Sequence, residues 1–184
     1  MQDEDSYLEA AGSLDKEALG GIFDEYAPIL YKYLLRLGQG PQEADQAVGD
    51  VFARLLEKIS EGKGPRTNLR AYLFQIAYHL VVDRSRDGKR AAPLEVAESV
   101  EGETKSVQAQ TEEKMLLETL SVAMEQLSDE QRNVIVLRFQ EGFSLKETAE
   151  IVGKNVNAVK ALQNRGVNKL REAMSYETGG DQDA

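Results

Sequence analysis

The chain reads as an all-α protein of two small helical domains joined by a flexible linker, and three observations predict it. Apolar residues recur at three- and four-residue spacing in two separate blocks, about 22–80 and 116–170. No stretch alternates apolar and polar residues in the manner of a half-buried strand, and no internal repeat is present. Between the blocks lies RAAPLEVAESVEGETKSVQAQT, which is polar, acidic and poor in aromatics, as a linker is.

The elements follow in order. Ile22, Phe23, Tyr26, Ile29, Leu30, Tyr33, Leu34 and Leu37 form one helical stripe, with a kink or break expected at Pro28 and a stop at Gly38. Pro41 sits where a first-turn proline is tolerated, ahead of a second stripe of Ala44, Val48, Val51, Phe52, Leu55, Leu56 and Ile59. After a loop at Gly62–Pro65, a third helix runs from about Asn68 to Arg86, with Leu69, Tyr72, Leu73, Ile76, Ala77 and Leu80 facing inward. Periodicity resumes at Leu116, Leu120, Ala123, Met124 and Leu127. Ser128 with Gln131, and Ser144 with Glu147, have the spacing of capping boxes that open two further helices, and Gly142 supplies a left-handed stop between them. Gly153 turns the chain, Asn155 is the N-cap of a last helix, and that helix is expected to end near Met174. The expected divisions are an acidic tail over 1–14, a first domain over 15–90, the linker over 91–112, a second domain over 113–175 and a disordered tail over 176–184.

Composition narrows the function classes. A chain of 184 residues, 41% of them hydrophobic, can bury two modest cores, while no apolar run approaches the roughly 18 residues of a membrane span. The N-terminus MQDEDSYLEAAGSLDKE lacks the positive and apolar regions of a secretory signal, which points to a cytoplasmic protein with no direct membrane insertion. There is no cysteine, and His79 is the single histidine, so thiol nucleophiles, Cys-type zinc sites and histidine triads are set aside. No catalytic residue, metal site or cofactor is expected. The formal charge of −10 argues at first against nucleic acid, yet the charge is segregated. Acids crowd Met1–Glu25 and Leu94–Glu118, whereas Arg66–Arg90 is basic and Asn155–Arg171 carries Lys160, Arg165, Lys169 and Arg171 without one acid.

A short helix, a glycine turn and a longer helix at the end of a small bundle is the layout of a helix-turn-helix, whose second helix enters the major groove. Along VNAVKALQNRGVNKLR, Val156, Val159, Leu162, Gly166 and Leu170 share one side. Asn157, Lys160, Ala161, Asn164, Arg165 and Asn168 share the other, where amides suit adenine edges, cations suit guanine or phosphate, and Ala161 permits close approach. Any surface helix carries amides and cations, but an acid-free one is uncommon in so acidic a chain. In the first basic island Tyr72, Phe74, Tyr78 and His79 alternate with Arg70, Arg84 and Arg86, a pattern that suits unstacked bases of a single strand and equally suits plain core packing.

These segments resemble the sigma-70 family of RNA polymerase sigma factors, in the small extracytoplasmic-function group that lacks the third domain between regions two and four. FDEYAPILYKYLLRLGQGPQEADQAVGDVFARLLEKI resembles region two, NLRAYLFQIAYHLVVDRSR the following segment that reads the −10 element, and LSDEQRNVIVLRFQEGFSLKETAEIVGKNVNAVKALQNRGVNKLRE region four, which reads the −35 element. The resemblance implies a sigma factor that binds core RNA polymerase through its clamp and flap and directs promoter-specific initiation. It places Asn157, Lys160, Ala161, Asn164, Arg165 and Lys169 at the −35 element. It places Lys63, Arg66, Asn68, Tyr72, Tyr78, His79, Arg84 and Arg86 at the −10 strand, with His79 near a flipped-out base. Asp45, Gln46, Asp50 and Arg54 would meet the polymerase clamp, and an anti-sigma factor is a further partner that the family implies. Departures are Gln46 where the family often has an acid, Gly49 where it often has glutamine, and Tyr72 where it usually has tryptophan. The competing reading, a transcription regulator of the LuxR type with the same C-terminal motif, would need a sensor or dimerisation domain that the short helical N-terminal part does not resemble.

Overall fold

The computed structural model describes residues 15–86 and 107–178, with side chains over 15–83 and 115–175. The expected N-terminal tail over 1–14 and most of the expected linker lie outside these residues. The described chain is all-α, with no strand among the described residues, and it divides into two compact units, one taking in residues up to Pro93 and one most of the chain from Leu94.

The first unit is three helices around one core. Helix α1, Lys16–Arg36, starts at Asp15, whose carboxylate accepts from the Ala18 N–H at 3.2 Å. It runs through Pro28 as one helix, so of the kink or break expected there the break does not occur. Pro28 is exposed, so water can take the carbonyl its ring leaves unpaired, while Ile22, Tyr26, Leu30, Tyr33 and Leu34 bury one continuous face on either side of it. Gly38, at φ 82°, ends α1 with Gly38 N–H donating to Leu35 O and Gln39 N–H to Leu34 O. Helix α2, Pro41–Ser60, opens with proline in its first turn and buries Ala44, Ala47, Val48, Val51, Phe52, Leu55 and Ile59.

Helix α3, Leu69–Arg86, packs on both α1 and α2, and this double contact revises its inward set. Phe74, Tyr78 and Val81 are buried along with Leu69, Leu73, Ala77 and Leu80, whereas Tyr72 and Ile76 are only half-buried. A helix wedged between two partners needs an apolar face wider than one stripe, so the simple three-and-four spacing picks out only part of it. Phe74 meets Tyr33 of α1 with ring centroids 4.8 Å apart.

The second unit holds helices α4, Val107–Glu125, α5, Asp129–Ile135, α6, Leu145–Val152, and α7, Val156–Thr178. Helix α4 begins six residues inside the expected linker, and α7 continues through Tyr176–Thr178 into the expected tail. Both extensions are polar turns added to an amphipathic helix, which apolar periodicity does not mark. The Ser128–Gln131 capping box is complete, and Arg132 donates to the α4 carbonyls of Met124 and Glu125. Helix α5 then widens into a π turn, Val136–Gln140, whose Glu141 N–H reaches back five residues to Val136 O at 3.0 Å. Gly142, at φ 73°, closes it, and the Ser144–Glu147 box opens α6. Asn155 caps α7 by accepting from the Ala158 N–H at 2.8 Å. Helix α7 packs on α5 and α4.

Candidate nucleic-acid interface

Burial decides which side of α7 is offered to a ligand. Val159, Leu162 and Gly166 are buried, and Asn157, Lys160, Ala161, Asn164, Arg165 and Asn168 are exposed. Two contacts fix the helix in that rotation. A β-carbon on Gly166 would lie 2.9 Å from Ile135 Cγ1, so α7 crosses α5 at a distance that any larger residue could keep only by displacing the Ile135 side chain. Arg138, in the π turn, donates through Nε to Gln163 Oε1 at 3.1 Å and through its terminal nitrogen to Phe143 O. One guanidinium thus ties the π turn, the loop before α6 and the recognition helix together. Neither contact follows from residue pattern alone: the Gly166 signal was present as a glycine inside a helix, while the Arg138–Gln163 pair spans 25 positions.

Lys169 departs from its group. It is exposed, but Nζ donates to Gln126 O at 3.4 Å, next to the end of α4. At about 100° per residue it stands about 140° around α7 from Asn164, toward the packed side. It sits at the rim of the face rather than on it.

The expected −10 residues of the first unit separate in the same way. Tyr78 is 6% exposed and belongs to the core, so it has little ring left for a base, and Phe74, also in the core, carries Arg70 over its ring at 5.2 Å. His79 is exposed, its Nδ1 2.8 Å from Gln75 O and its ring edge-on to Tyr78. Arg84 and Arg86 fall in the last turn of α3, and their side chains lie outside the described residues.

The loop between α2 and α3 is firmly built. Gly62, at φ 71°, lets Lys63 N–H donate to Lys58 O at 2.8 Å, and Gly64 packs so tightly on Ile59 that a β-carbon would come within 2.9 Å of Cγ1. Asn68, at φ 50°, caps α3 by accepting from the Ala71 N–H at 2.9 Å, which gives this residue a structural duty besides any contact with a strand. Glu61 holds Lys58 at 3.1 Å and Lys63 at 3.2 Å. The hydrogen bond from Lys58, then that from Lys63, keeps the Glu61 carboxyl below its ordinary value, and the bond to Glu61 raises Lys58. Arg66 is exposed on the same loop.

Of the expected clamp residues, Asp45, Gln46 and Arg54 are exposed and Asp50 is half-buried. They do not form one patch. Asp45 and Arg54 are nine residues apart and so lie on opposite flanks of α2. The Asp45 flank continues into an apolar patch, where Phe23, 46% exposed, meets Phe52 with tilted rings whose centroids are 4.8 Å apart, beside exposed Leu56. The Arg54 flank faces α3 instead. There Arg54, Glu57 and Lys58 of α2 and Tyr72, Gln75, Ile76 and His79 of α3 line an open groove of about 400 Å³. Glu57, Lys58, Gln75 and Ile76 were not among the candidate site residues expected from sequence, because a groove between two helices is a tertiary fact.

Comparison with known proteins agrees with this anatomy. Residues 22–91 match the family model for sigma-70 region 2, and residues 123–172 that for sigma-70 region 4. The extracytoplasmic-function sigma factor EcfG of Rhodopseudomonas palustris is 30% identical over 154 residues, 84% of this chain and 83% of that protein. BldN of Streptomyces coelicolor, of the same group, is 30% identical over 168 residues, 89% of this chain, which spans only 62% of that longer relative. CnrH, solved in complex with the cytosolic domain of CnrY, shares the fold with a TM-score of 0.70 at 22% identity, covering 95% of this chain and 99% of that one. The chain belongs to the sigma-70 family of RNA polymerase sigma factors, in its extracytoplasmic-function group.

Proposed function

We propose that this sigma factor reads its promoter with two separate faces and meets the polymerase with a third. The acid-free face of α7 is the observation that carries the reading. Asn157, Lys160, Ala161, Asn164 and Arg165 all project from the first half of the second helix of a helix-turn-helix, the part that enters a major groove at the −35 element. The −10 strand is taken by the α2–α3 loop and the outer side of α3, through Lys63, Arg66, Asn68, Tyr72 and His79, with Arg84 and Arg86 beyond. Core polymerase is met at its clamp by Asp45, Gln46 and Asp50, next to the apolar patch of Phe23 and Leu56, a mixture of acid and apolar surface suited to a protein partner. The flap is the second contact on the enzyme.

The chain acts as an adaptor, without catalysis of its own, in the cytoplasm. No helix among the described residues is long and apolar enough to cross a membrane. An anti-sigma factor is a further partner. The solved relatives include the sigma factor RpoE in complex with the anti-sigma factor NepR from Bartonella quintana, which shares the fold at a TM-score of 0.59 and 23% identity.

The test is a gel-shift titration of promoter duplex with and without purified core polymerase. The net charge of −10 opposes phosphate, so the chain alone should bind duplex weakly and without preference, and the holoenzyme tightly and selectively. Tight, sequence-selective binding by the chain alone would favour a free-standing regulator instead.

A further inference from the structure

The turn between α6 and α7 consists of Gly153, Lys154 and Asn155. Two of these have local duties: Gly153, at φ 64°, takes the left-handed conformation, and Asn155 caps α7. Lys154 reaches further. Its N–H donates to Ala149 O at 3.0 Å, which fastens it to α6, and its Nζ lies 2.8 Å from Glu130 Oε1 in the first turn of α5. The lysine side chain is the more covered of the two, 31% exposed against 53%.

By charge alone Lys154 would join the cations offered to DNA. It stands directly ahead of the acid-free run 155–171, at the end of the helix that enters a major groove, where first residues come close to phosphate. In the structure its charge is already answered by an acid of α5, the helix on which α7 packs. The ties described above, Gln163 to Arg138 and Gly166 to Ile135, hold α7 from its middle onward. The Lys154–Glu130 pair acts at the other end, just ahead of Asn157, Lys160 and Ala161. There a small change in the entry angle of the helix displaces the side chains that reach the bases.

We propose that Lys154 is a positioning residue: paired with Glu130, it fixes the entry angle of α7 and so sharpens selection at the −35 positions met by Asn157, Lys160 and Ala161, without serving as a phosphate contact itself. The inference rests on the proposed −35 assignment of α7. It goes further by separating Lys154 from the cations that meet DNA, and by adding an acid, Glu130, to the residues on which promoter selection depends.

The experiment is run-off transcription by holoenzyme reconstituted with core polymerase, on promoters carrying each of the four bases at each −35 position, over a range of salt. Three forms are compared: the unaltered chain, Lys154→Met, and the exchanged pair Lys154→Glu with Glu130→Lys, which leaves the net charge as it was. Lys154→Met should lower base preference by about twofold to fivefold, the weight of an exposed ion pair, at the positions met by the first turns of α7. Its salt dependence on the preferred promoter should match that of the unaltered chain, because no phosphate contact is lost. The exchanged pair should restore the preference, and the deficit of Lys154→Met should narrow as salt screens the pair in the unaltered chain. A uniform loss on every sequence with a flatter salt dependence, left unrepaired by the exchange, would overturn the proposal and make Lys154 a phosphate contact. An unchanged preference in Lys154→Met would overturn it too. Absence of any −35 preference in the unaltered holoenzyme would instead remove the assignment of α7, and this proposal with it.

Discussion

Gly166 of α7 lies against Ile135 of α5 so closely that a β-carbon there would come within 2.9 Å of Ile135 Cγ1 and 3.2 Å of Cδ1. The recognition helix is therefore seated by the absence of a side chain. Gly166→Ala gains about 1 kcal/mol in helix propensity but forces Ile135 aside, an overpacking cost of about 1 to 3 kcal/mol. Net destabilisation of the second unit is expected on thermal unfolding. In an Ile135→Ala background the same substitution should become neutral or stabilising, and a double-mutant cycle without coupling would show that the contact does not limit the approach of the helices.

Arg138 should act on the recognition helix without touching DNA. Arg138→Ala leaves Gln163 Oε1 and Phe143 O without this donor, at a cost of about 1 to 3 kcal/mol. Transcription from promoters that depend on the −35 element should fall as α7 loosens, with little change in affinity for core polymerase. An undiminished −35 preference would mean that burial alone holds α7.

On the proposed −35 assignment, substitutions on the exposed face of α7 should separate specific from unspecific contacts. Asn164→Ala is expected to relax preference at one or two −35 positions by about 1 to 3 kcal/mol. Lys169→Ala should weaken all sequences alike, and only slightly, since Nζ is turned to Gln126 O at the rim. Equal effects of both changes on every promoter variant would contradict the division of the helix drawn here.

Much of this arrangement was legible in the sequence, because caps and turns are local chemistry. Ser128 with Gln131, Ser144 with Glu147, Asn155 and the left-handed Gly38 and Gly142 all do what their residue types suggest. The misreadings have a common cause in tertiary context. At Pro28 a kink or a break is expected, and burial on both sides of it carries α1 through without a break. Tyr78, one of the residues expected at the −10 strand, is buried, while Tyr72 stays half-buried, because α3 is wedged between two partners rather than laid on one. Asp45 and Arg54 were grouped by resemblance, while the helical turn puts them on opposite flanks.

Glu61 restrains two cations, Lys58 in the last turn of α2 and Lys63 in the α2–α3 loop proposed to face the −10 strand. Its carboxyl is held below the ordinary value, so the stabilising effect of these pairs is present above the ordinary carboxylate range and is lost as pH falls through the lowered value. Glu61→Gln should leave thermal stability near neutral pH almost unchanged, because the pairs are exposed. Holoenzyme binding to promoter should tighten at low salt, and its salt dependence should steepen as Lys58 and Lys63 become available to phosphate. An unchanged salt slope would show that neither lysine approaches the strand.

The most direct test of the whole account is the mapping of transcription start sites in vitro, with core polymerase and this chain as the only sigma factor, over a library randomised at the −10 and −35 elements. The account predicts initiation from a restricted set of templates sharing both elements at fixed spacing, lost when either element is scrambled and absent with core enzyme alone. Initiation that is no more selective than that of core enzyme would contradict it.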